Sequence, residues 1–598
     1  QEFIKFPQLK HLTDGSDPME RIEKNDPMWT VEQYAQNSTM IYLQQLLSKE
    51  NRSMESFGLP KPNLINEQFI QNIFGDGLNS MKSNVELTKE KATKYFNQNF
   101  ERLNKEQLIV FNRLKDLLNN YINCAKKGKI PREKEGSLVF LDAPGGTGKT
   151  FILNVLINWV IMKEQLVVAT AASGIAATML HNGRTVHNQF KVPINITTES
   201  MCNISKQSKM ASFLRDVLLI IIDEASMLDK LCYETLDRTL KDLTDFPDTK
   251  FGGKIVLLSG DFRQLLEVIP RANRAKIVLR CLKGSELLWD ENVIHLKLND
   301  NMRIKNALVK RPNDEGFKAK LIWYEQWLLQ LGEGKLEEYN DNIIEIPNQM
   351  CKETKDDVID AVFDDFENNV GVPEYYQSRA IVAATNEIVN EINSELLERL
   401  PAIAVTKYSI DTVGDDDNPT AFPSEFLNAF NLSGMADHEL CLKENTVVIL
   451  MRNMDIDAGH CNGTRYFVKR IGDYRLVLEK LYSKGNKNNI LVLPRIPMTS
   501  SPGTKLPFVL KRLQFPIKVA FALTINRSQS QTFSGKLGIL LPRSIWTHGQ
   551  IYVTFSRCGD PNNVFVWANQ DEFKELIDSG KLPSGKIYTK NVVYKEVI

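Results

Sequence analysis

Residues 142–150 have the sequence DAPGGTGKT, which could bind a nucleoside triphosphate. In loops of the pattern G-x-x-x-x-G-K-[ST], backbone N–H groups surround the phosphates, a lysine neutralises their charge, and a hydroxyl ligates Mg²⁺. Ala143 stands at the first glycine position, so this loop departs from the strict pattern. The predicted nucleotide-binding residues are Pro144, Gly145, Gly146, Thr147, Gly148, Lys149 and Thr150.

Two later segments could complete the chemistry of phosphoryl transfer. The apolar run 217–222 ends in Asp223-Glu224, where one carboxylate can hold Mg²⁺ and the other can orient the attacking water. Residues 255–258 lead into SGDFRQ, whose Gln264 can sense the γ-phosphate. The predicted metal ligands are Thr150 and Asp223.

Arginines that close over the site could stabilise charge on the γ-phosphate oxygens. Arg303 in LNDNMR and Arg557 in YVTFSR are the candidates. The predicted catalytic residues are therefore Lys149, Glu224, Gln264, Arg303 and Arg557.

The elements that must position these residues are short strands alternating with helices. Apolar spacing predicts an amphipathic helix over 104–125, and β-branched runs predict strands at 137–141, 166–170, 217–222 and 254–258. This alternation is typical of a buried parallel sheet. After residue 303 the pattern restarts with a helix near 323–331, a strand at 380–383, a helix at 385–400 and further apolar segments at 518–523 and 550–555. A second α/β domain follows, with a small β module around 441–480.

Composition predicts a soluble protein of several domains. The chain has 598 residues, 42% of them hydrophobic and 25% charged, and its longest apolar runs fall below the ~20 residues that span a bilayer. Eight cysteines without a C-x-x-C pair favour an intracellular compartment, and we expect no membrane partner. The first residue is not Met, so we expect a fragment or a processed chain.

Charge is balanced overall but unevenly distributed. There are 74 basic and 74 acidic residues, yet no Asp or Glu lies between Lys480 and Cys558. Acidic residues concentrate at 353–367 and 411–417. The basic tract could form a positive surface for a phosphate backbone or a solvated face, and charge by itself does not distinguish these.

In this order the motifs resemble those of superfamily 1B DNA helicases of the Pif type, from residue 103 to 558. LNKEQ at 103–107 resembles the adenine-reading motif and puts Gln107 on the base. TAASGIAA at 170–177 and GRTVHNQF at 183–190 resemble DNA-contacting motifs, CNGTR at 461–465 resembles part of an inserted β subdomain, and TINRSQSQTF with YVTFSR resembles the last two motifs. The resemblance makes Arg303 and Arg557 arginine fingers. It implies DNA contacts from Thr170, Ser173, Gly174, His187, Phe190, Thr464, Arg465, Asn526, Arg527, Ser528 and Gln529.

The resemblance also implies an α/β fold of two RecA-like P-loop domains in tandem. The expected organisation is an N-terminal accessory region at 1–100, a first domain at 101–300 with a small insertion near 188–216, and a second domain at 301–598 interrupted by an SH3-like β subdomain at about 405–513. The implied activity is an ATP- and Mg²⁺-dependent helicase that moves 5′ to 3′ on single-stranded DNA. Forked or duplex DNA and a nuclear location are implied too.

Within this family, DAPGGTGKTF and WLLQLGEGK look closest to helicase modules of Helitron rolling-circle transposases. That similarity implies transposition, or else cellular recombination and repair, with a nuclease elsewhere in the parent polypeptide because this chain has no His-x-His. Ser530 replaces a glycine that is usual in the family, so we expect a strained backbone and weaker coupling of ATP to DNA. A translocase that does not separate strands and a binding module without turnover remain alternatives.

Overall fold

The computed structural model describes residues 85–126, 138–269, 272–302, 314–337, 342–414, 422–432, 434–455, 458–481, 489–500 and 506–598, with the single residues 305, 308 and 339. The chain divides into two compact units, Gln1–Thr88 and Lys89–Ile598. Because the described residues begin at 85, most of the predicted accessory region at 1–100 lies outside them. Within the described part, no helix combines the length and hydrophobicity of a bilayer-spanning segment.

A six-stranded parallel sheet forms the centre of the first domain. Its strands are β1 (Leu138–Asp142), β2 (Leu166–Ala171), β3 (Arg184–Thr185), β4 (Val217–Asp223), β5 (Ile255–Gly260) and β6 (Ile294–Lys297). The order across the sheet is β3-β2-β4-β5-β1-β6. The four strands predicted from sequence correspond to β1, β2, β4 and β5.

Helices cover both faces of this sheet, so its central strands β1, β4 and β5 are buried on both sides. In β4, Leu219 and Ile221 join one hydrophobic cluster while Ile220 and Ile222 join the other, as the two-residue period of a strand requires. The helices are α1 (Val85–Asn99), α2 (Lys105–Lys126), α3 (Lys149–Met162), α4 (Gly174–Met179), α5 (Val186–Phe190), α6 (Lys209–Asp216), α7 (Lys230–Thr244) and α8 (Arg274–Arg280).

The remaining elements belong to the second domain and its insertion. The helices are α9 (Glu315–Glu333), α10 (Lys355–Val362), α11 (Pro373–Gln377), α12 (Asn386–Arg399), α13 (Ser424–Asn428), α14 (Ile525–Ser528), α15 (Gln550–Ser556) and α16 (Lys574–Asp578). The strands are β7 (Ile343–Ile346), β8 (Ala380–Ala383), β9 (Val405–Tyr408), β10 (Ile410–Val413), β11 (Glu439–Leu442), β12 (Val447–Leu450), β13 (Arg465–Ile471), β14 (Arg475–Lys480), β15 (Ile490–Pro494), β16 (Ile496–Thr499), β17 (Leu510–Gln514), β18 (Ile517–Val519), β19 (Ala522–Thr524), β20 (Leu537–Leu541), β21 (Val564–Ala568) and β22 (Ile587–Lys590).

The second domain is built on a parallel sheet of order β19-β8-β20-β21. Between α12 and β19 the chain forms antiparallel sheets, of which the largest has the order β15-β14-β13-β12-β18. The segment 550–555 is helical. The two parallel sheets with their helices agree with the predicted α/β class of two domains in tandem.

The last residues of the chain return to the first domain. Tyr594 and Val597 are buried in the hydrophobic cluster that covers one face of the six-stranded sheet. Arg274 binds Glu596 with nitrogen–oxygen distances of 3.1 and 2.7 Å. Residues 594–597 therefore pack against the first domain, although they follow the second domain in the sequence.

Candidate nucleotide and nucleic-acid site

Three loops that follow neighbouring strands form the candidate nucleotide site. β1, β5 and β4 are adjacent and parallel, so the segments at their carboxyl ends meet at one edge of the sheet. These segments are the phosphate loop, the GDFRQ segment and the Asp223-Glu224 pair. The topology therefore brings together residues that are far apart in the sequence.

The phosphate loop depends on a left-handed glycine at the start of α3. Gly148 has φ 81°, and an added Cβ would lie 2.5 Å from Nε2 of Gln107. The Thr147 hydroxyl closes the loop by donating to the Pro144 carbonyl at 2.9 Å. The first N–H groups of α3 lack helical acceptors and favour an anion at this end.

Lys149, Asp223 and Glu224 form a buried charge cluster. Lys149 Nζ lies 2.9 Å from Asp223 Oδ1 and 3.3 Å from Glu224 Oε2. Burial by itself lowers the pKa of Lys149, but the two carboxylates outweigh burial and raise that pKa above its ordinary value. Burial also raises the pKa of Glu224, against the opposing effect of Lys149. The lysine is thus a stable cation that can exchange carboxylates for phosphates.

The site offers the oxygen ligands that Mg²⁺ prefers. Asp223 Oδ1 accepts hydrogen bonds from the Ser259 hydroxyl at 2.7 Å and from the Glu224 backbone N–H at 2.8 Å, which orient the carboxylate. Thr150 lies in the first turn of α3 and supplies a hydroxyl. Hydroxyl, carboxylate and substrate phosphate together suit Mg²⁺, so these residues fit the ion.

The GDFRQ segment makes contact with the second domain. Nε2 of Gln529 lies 3.5 Å from Oε1 of the buried Gln264. The Tyr552 hydroxyl donates to Asp261 Oδ2 at 2.9 Å, and Arg263 Nη1 lies 2.8 Å from Asp261 Oδ1. Gln264 therefore stands between the end of β5 and the other domain, where a γ-phosphate sensor would need to be.

Of the two candidate arginine fingers, the structure describes one. Arg303 lies outside the described residues. Arg557 is buried at the end of α15, where its Nε donates to the Val553 carbonyl at 2.9 Å and its Nη1 to the Gln531 carbonyl at 3.1 Å. Its charge is close enough to Glu224 to oppose the rise in the pKa of that carboxyl.

Gln107 joins the start of α2 to the phosphate loop. Its Nε2 donates to the Thr147 carbonyl at 2.9 Å, and its Oε1 accepts the Asn104 backbone N–H at 3.1 Å. The side chain is 1% exposed. A base that binds here would exchange one of these hydrogen bonds.

The predicted DNA contacts of the first domain separate into exposed and buried positions. Thr170 and Phe190 are fully buried, and the Thr170 hydroxyl donates to the Ile221 carbonyl at 2.7 Å. Neither side chain is accessible in this structure, and their predicted DNA contact stays a prediction. His187 is exposed, while Ser173 is partly exposed and caps α4 by accepting the Ala176 N–H.

Gly174 lies against the inserted β sheets. An added Cβ at Gly174 would lie 3.0 Å from Cβ of Cys461 and 3.1 Å from Oδ1 of Asn453. An added Cβ at Gly463 would lie 2.7 Å from Cδ1 of Ile175. The two predicted DNA loops, SGI and CNGTR, thus touch each other.

The predicted DNA contacts at 526–529, which follow β19, also include both buried and accessible residues. Ser528 is fully buried and donates to the Ile525 carbonyl at 2.7 Å, so its side chain is not accessible here and its DNA contact stays a prediction. Gln529 is buried and faces the first domain. Asn526 is exposed, and Arg527 is partly buried, which lowers its pKa. Asn526 and Arg527 are the members of this group that remain accessible.

Arg465 is buried where the insertion meets the second domain. Its Nη1 donates to the Arg379 carbonyl at 3.2 Å, whereas Nε and Nη2 have no partner among the described residues. Burial lowers the pKa of Arg465 to about 10. The guanidinium therefore retains donors for an anion. Thr464 beside it is partly exposed.

The acid-free basic tract does not form one unpaired positive face. Several of its cations are paired with acidic residues from other parts of the chain, including the two acid-rich stretches. These pairs are Arg512–Asp411 at 2.6 Å, Lys518–Asp437 at 2.9 Å and Lys536–Asp364 at 2.7 Å. Lys484, Lys487 and Lys505 lie outside the described residues.

Two family models match parts of the chain. The PIF1-like helicase model matches residues 115–342, and the model of the DNA helicase Pif1 2B domain matches residues 425–471. The first match includes the phosphate loop, Asp223-Glu224 and GDFRQ, and the second lies in the inserted antiparallel sheets. The chain therefore contains one region that is similar to PIF1-like helicases and another that is similar to the Pif1 2B domain.

Curated proteins that are similar to this chain are also named as Pif1 helicases. The ATP-dependent DNA helicase Pif1 of Campylobacter jejuni is 25% identical over 448 residues, which cover 72% of this chain and 89% of the relative. The Psychrobacter protein of that name is 29% identical over 55% of this chain and 44% of its own length. The Xenopus laevis protein is 25% identical over 71% and 57%. The chain thus spans about half the length of the last two.

Solved helicase structures share the fold. A Pif1 helicase from Bacteroides in complex with ADP-AlF3 and single-stranded DNA aligns with a TM-score of 0.51 at 19% identity, over 82% of this chain and 99% of that one. Pif1 helicase from Candida albicans aligns with a TM-score of 0.51 at 22% identity, over 80% and 99%. At these identities the likeness concerns the fold.

Proposed function

We propose that this chain, with its regions similar to PIF1-like helicases and to the Pif1 2B domain, is an ATP-dependent DNA helicase of the Pif1 type. The observation that carries the proposal is the buried cluster of Lys149, Asp223 and Glu224 where β1, β5 and β4 end. A lysine and two carboxylates at a phosphate loop are the parts that nucleoside triphosphate hydrolysis requires. We infer the DNA substrate from the relatives, which are named as ATP-dependent DNA helicases.

In the proposed cycle, ATP phosphates enter the loop at 142–150 and Lys149 moves from the carboxylates to the β- and γ-phosphates. Mg²⁺ held by Thr150 and Asp223 would neutralise phosphate charge. Glu224 orients the attacking water, and Arg557 stabilises charge on the γ-phosphate, with Arg303 proposed for the same role. The contact of Gln264 with Gln529 passes the change to the second domain, so that single-stranded DNA advances.

Replacing the phosphate-binding lysine tests the active site. Lys149→Ala is expected to lower DNA-stimulated ATP hydrolysis by at least ~10²-fold, because the phosphates lose their main counter-charge. Lys163→Ala, an exposed lysine just after α3, is the matched control and should hydrolyse ATP like the wild type. Full DNA-stimulated hydrolysis by Lys149→Ala would contradict the assignment.

Forked DNA substrates test strand separation and polarity. We propose movement from 5′ to 3′, so a duplex with a 5′ single-stranded tail should be unwound and one with only a 3′ tail should not. Hydrolysis without unwinding of any forked duplex would favour the translocase alternative. DNA binding without DNA-stimulated hydrolysis would favour the binding module, which the left-handed φ of 63° at Ser530 motivates.

We also propose that the chain is the helicase part of a Helitron-type transposase that acts in the nucleus. A cellular helicase of recombination and repair is the alternative. The support is the sequence of the loop at 142–151 and of WLLQLGEGK. Sequencing the complete reading frame tests this proposal, since a His-hydrophobic-His nuclease motif in the same polypeptide is expected. A complete reading frame without that motif would favour the cellular helicase.

A further inference from the structure

A carboxylate that the mechanism above does not use lies beside the nucleotide site. Glu106 precedes Gln107 in the first turn of α2. Its Oε2 accepts the backbone N–H of Asn299 at 2.8 Å and that of Asp300 at 2.8 Å. Its Oε1 lies 3.4 Å from Nδ2 of Asn299. One carboxylate therefore binds two consecutive N–H groups, and such charge-assisted hydrogen bonds are stronger than neutral ones.

The backbone on either side of this contact is bonded to the phosphate loop. Leu298 N–H donates to the Asp142 carbonyl at 3.0 Å, and Met302 N–H donates to the Gly146 carbonyl at 2.9 Å. Residues 298–302 therefore run along the loop and are fixed at three points, of which Glu106 is the middle one.

The same residues form a wall of a cavity that lies beside the phosphate loop. Asn299 and Asn301 line it together with Pro144, Gly145 and Thr147 of the phosphate loop. In the sequence, the segment leads directly into Arg303. A displacement of 298–302 would therefore change the shape of the cavity and the start of the segment that carries a candidate arginine finger.

We propose that Glu106 is a positioning residue that fixes segment 298–302 against the phosphate loop, an inference that rests on the proposed ATP hydrolysis for its kinetic consequence. Gln107, the next residue, binds the phosphate loop itself through Thr147. Two consecutive side chains on one helical turn thereby set both walls of the cavity.

Hydrogen exchange measures the positioning without any need for turnover. In Glu106→Ala, the Asn299 and Asp300 amides are expected to exchange about 10-fold faster than in the wild type, because they lose a charged acceptor. Glu106→Gln keeps an acceptor oxygen but loses the charge, so its exchange rate should lie between those of the wild type and Glu106→Ala. Glu101→Ala, which removes an exposed charge just before α2, is the matched control. Unchanged exchange in Glu106→Ala overturns the proposal.

Steady-state kinetics then test the consequence for the reaction. Glu106→Ala is expected to lower kcat about 10-fold while KM for ATP changes less than about threefold, because a misplaced wall costs more in the transition state than in binding. Glu106→Gln should restore most of kcat, because it keeps an acceptor oxygen at the same place. A wild-type protein without ATP hydrolysis would refute the proposed function, whereas wild-type kinetics in Glu106→Ala would refute the role of Glu106.

Discussion

The nucleotide site and the predicted DNA-contacting loops differ in how their residues are placed. Around the nucleotide site, the predicted residues that the structure describes gather at the ends of β1, β4 and β5 and at the facing edge of the second domain. Among the predicted DNA contacts, His187 and Asn526 are exposed, whereas Thr170, Phe190 and Ser528 are fully buried.

This difference follows from what each site needs. A phosphate is bound by backbone N–H groups and by side chains at strand ends, and both are fixed by a short local sequence within a parallel sheet. A DNA contact needs a side chain that stays accessible after the whole domain has packed. We therefore expect motif similarity to predict a phosphate site residue by residue, and a DNA contact only by the segment that carries it.

Loss of Glu224 should give the largest effect at the nucleotide site. Glu224→Gln is expected to lower kcat for DNA-stimulated ATP hydrolysis about 10²–10⁴-fold, because an amide cannot accept the proton of the attacking water. Binding of a fluorescent ATP analogue should persist. Glu199→Gln, at an exposed position of the same domain, is the control. Equal loss of binding and turnover would show that Glu224 shapes the site without acting in the chemistry.

Substitution of a paired residue in the acid-free basic tract should lower the stability of the protein and leave its DNA affinity unchanged. Arg512→Met is expected to lower the free energy of unfolding by about 3–5 kcal/mol, because it leaves Asp411 buried without its partner. Replacing both residues by apolar ones should recover most of that loss. Urea unfolding and DNA titration of the folded variants measure the two quantities. A stable Arg512→Met variant with weakened DNA binding would reverse this interpretation.

His187 and Phe190 lie close together in the sequence, but only His187 is exposed. Substituting each in turn tests whether exposure decides which side chain contacts DNA. His187→Ala is expected to weaken single-stranded DNA binding by about 1–3 kcal/mol, the usual size of a lost stacking contact, with little change in Tm. Phe190→Leu should lower Tm and leave the DNA affinity of the folded protein unchanged, since that ring is buried. Fluorescence anisotropy and thermal melting are the measurements. The opposite pattern would mean that this segment rearranges on DNA.

Substitution of Ser530 should change stability and activity least among these variants. Its φ of 63° lies in the left-handed region, and its buried hydroxyl has no partner among the described residues. Ser530→Gly is expected to stabilise the protein by about 0.5–1 kcal/mol and to raise DNA-stimulated hydrolysis, because glycine adopts this φ without strain. Ser530→Asn should fall between the two. A less stable glycine variant would show that the serine is not strained.

The strands that the sequence predicts are those whose apolar runs are buried on both faces, such as β4. β6 was not predicted because its residues alternate between partly buried and exposed, so it resembles a loop until it pairs with β1. α15 shows the reverse case. Its sequence QIYVTFS is rich in β-branched and aromatic residues, yet burial of the whole segment between the domains holds it in a helix.

The sequence by itself determined the phosphate loop, the paired carboxylates and the order of the motifs, because each depends on a few adjacent residues at the end of an apolar strand. Tertiary structure decided which side chains stay accessible, which basic residues meet acidic partners, and that Glu106 binds a segment almost two hundred residues away. Burial and long-range pairing arise when distant segments pack together, and no local pattern records that packing.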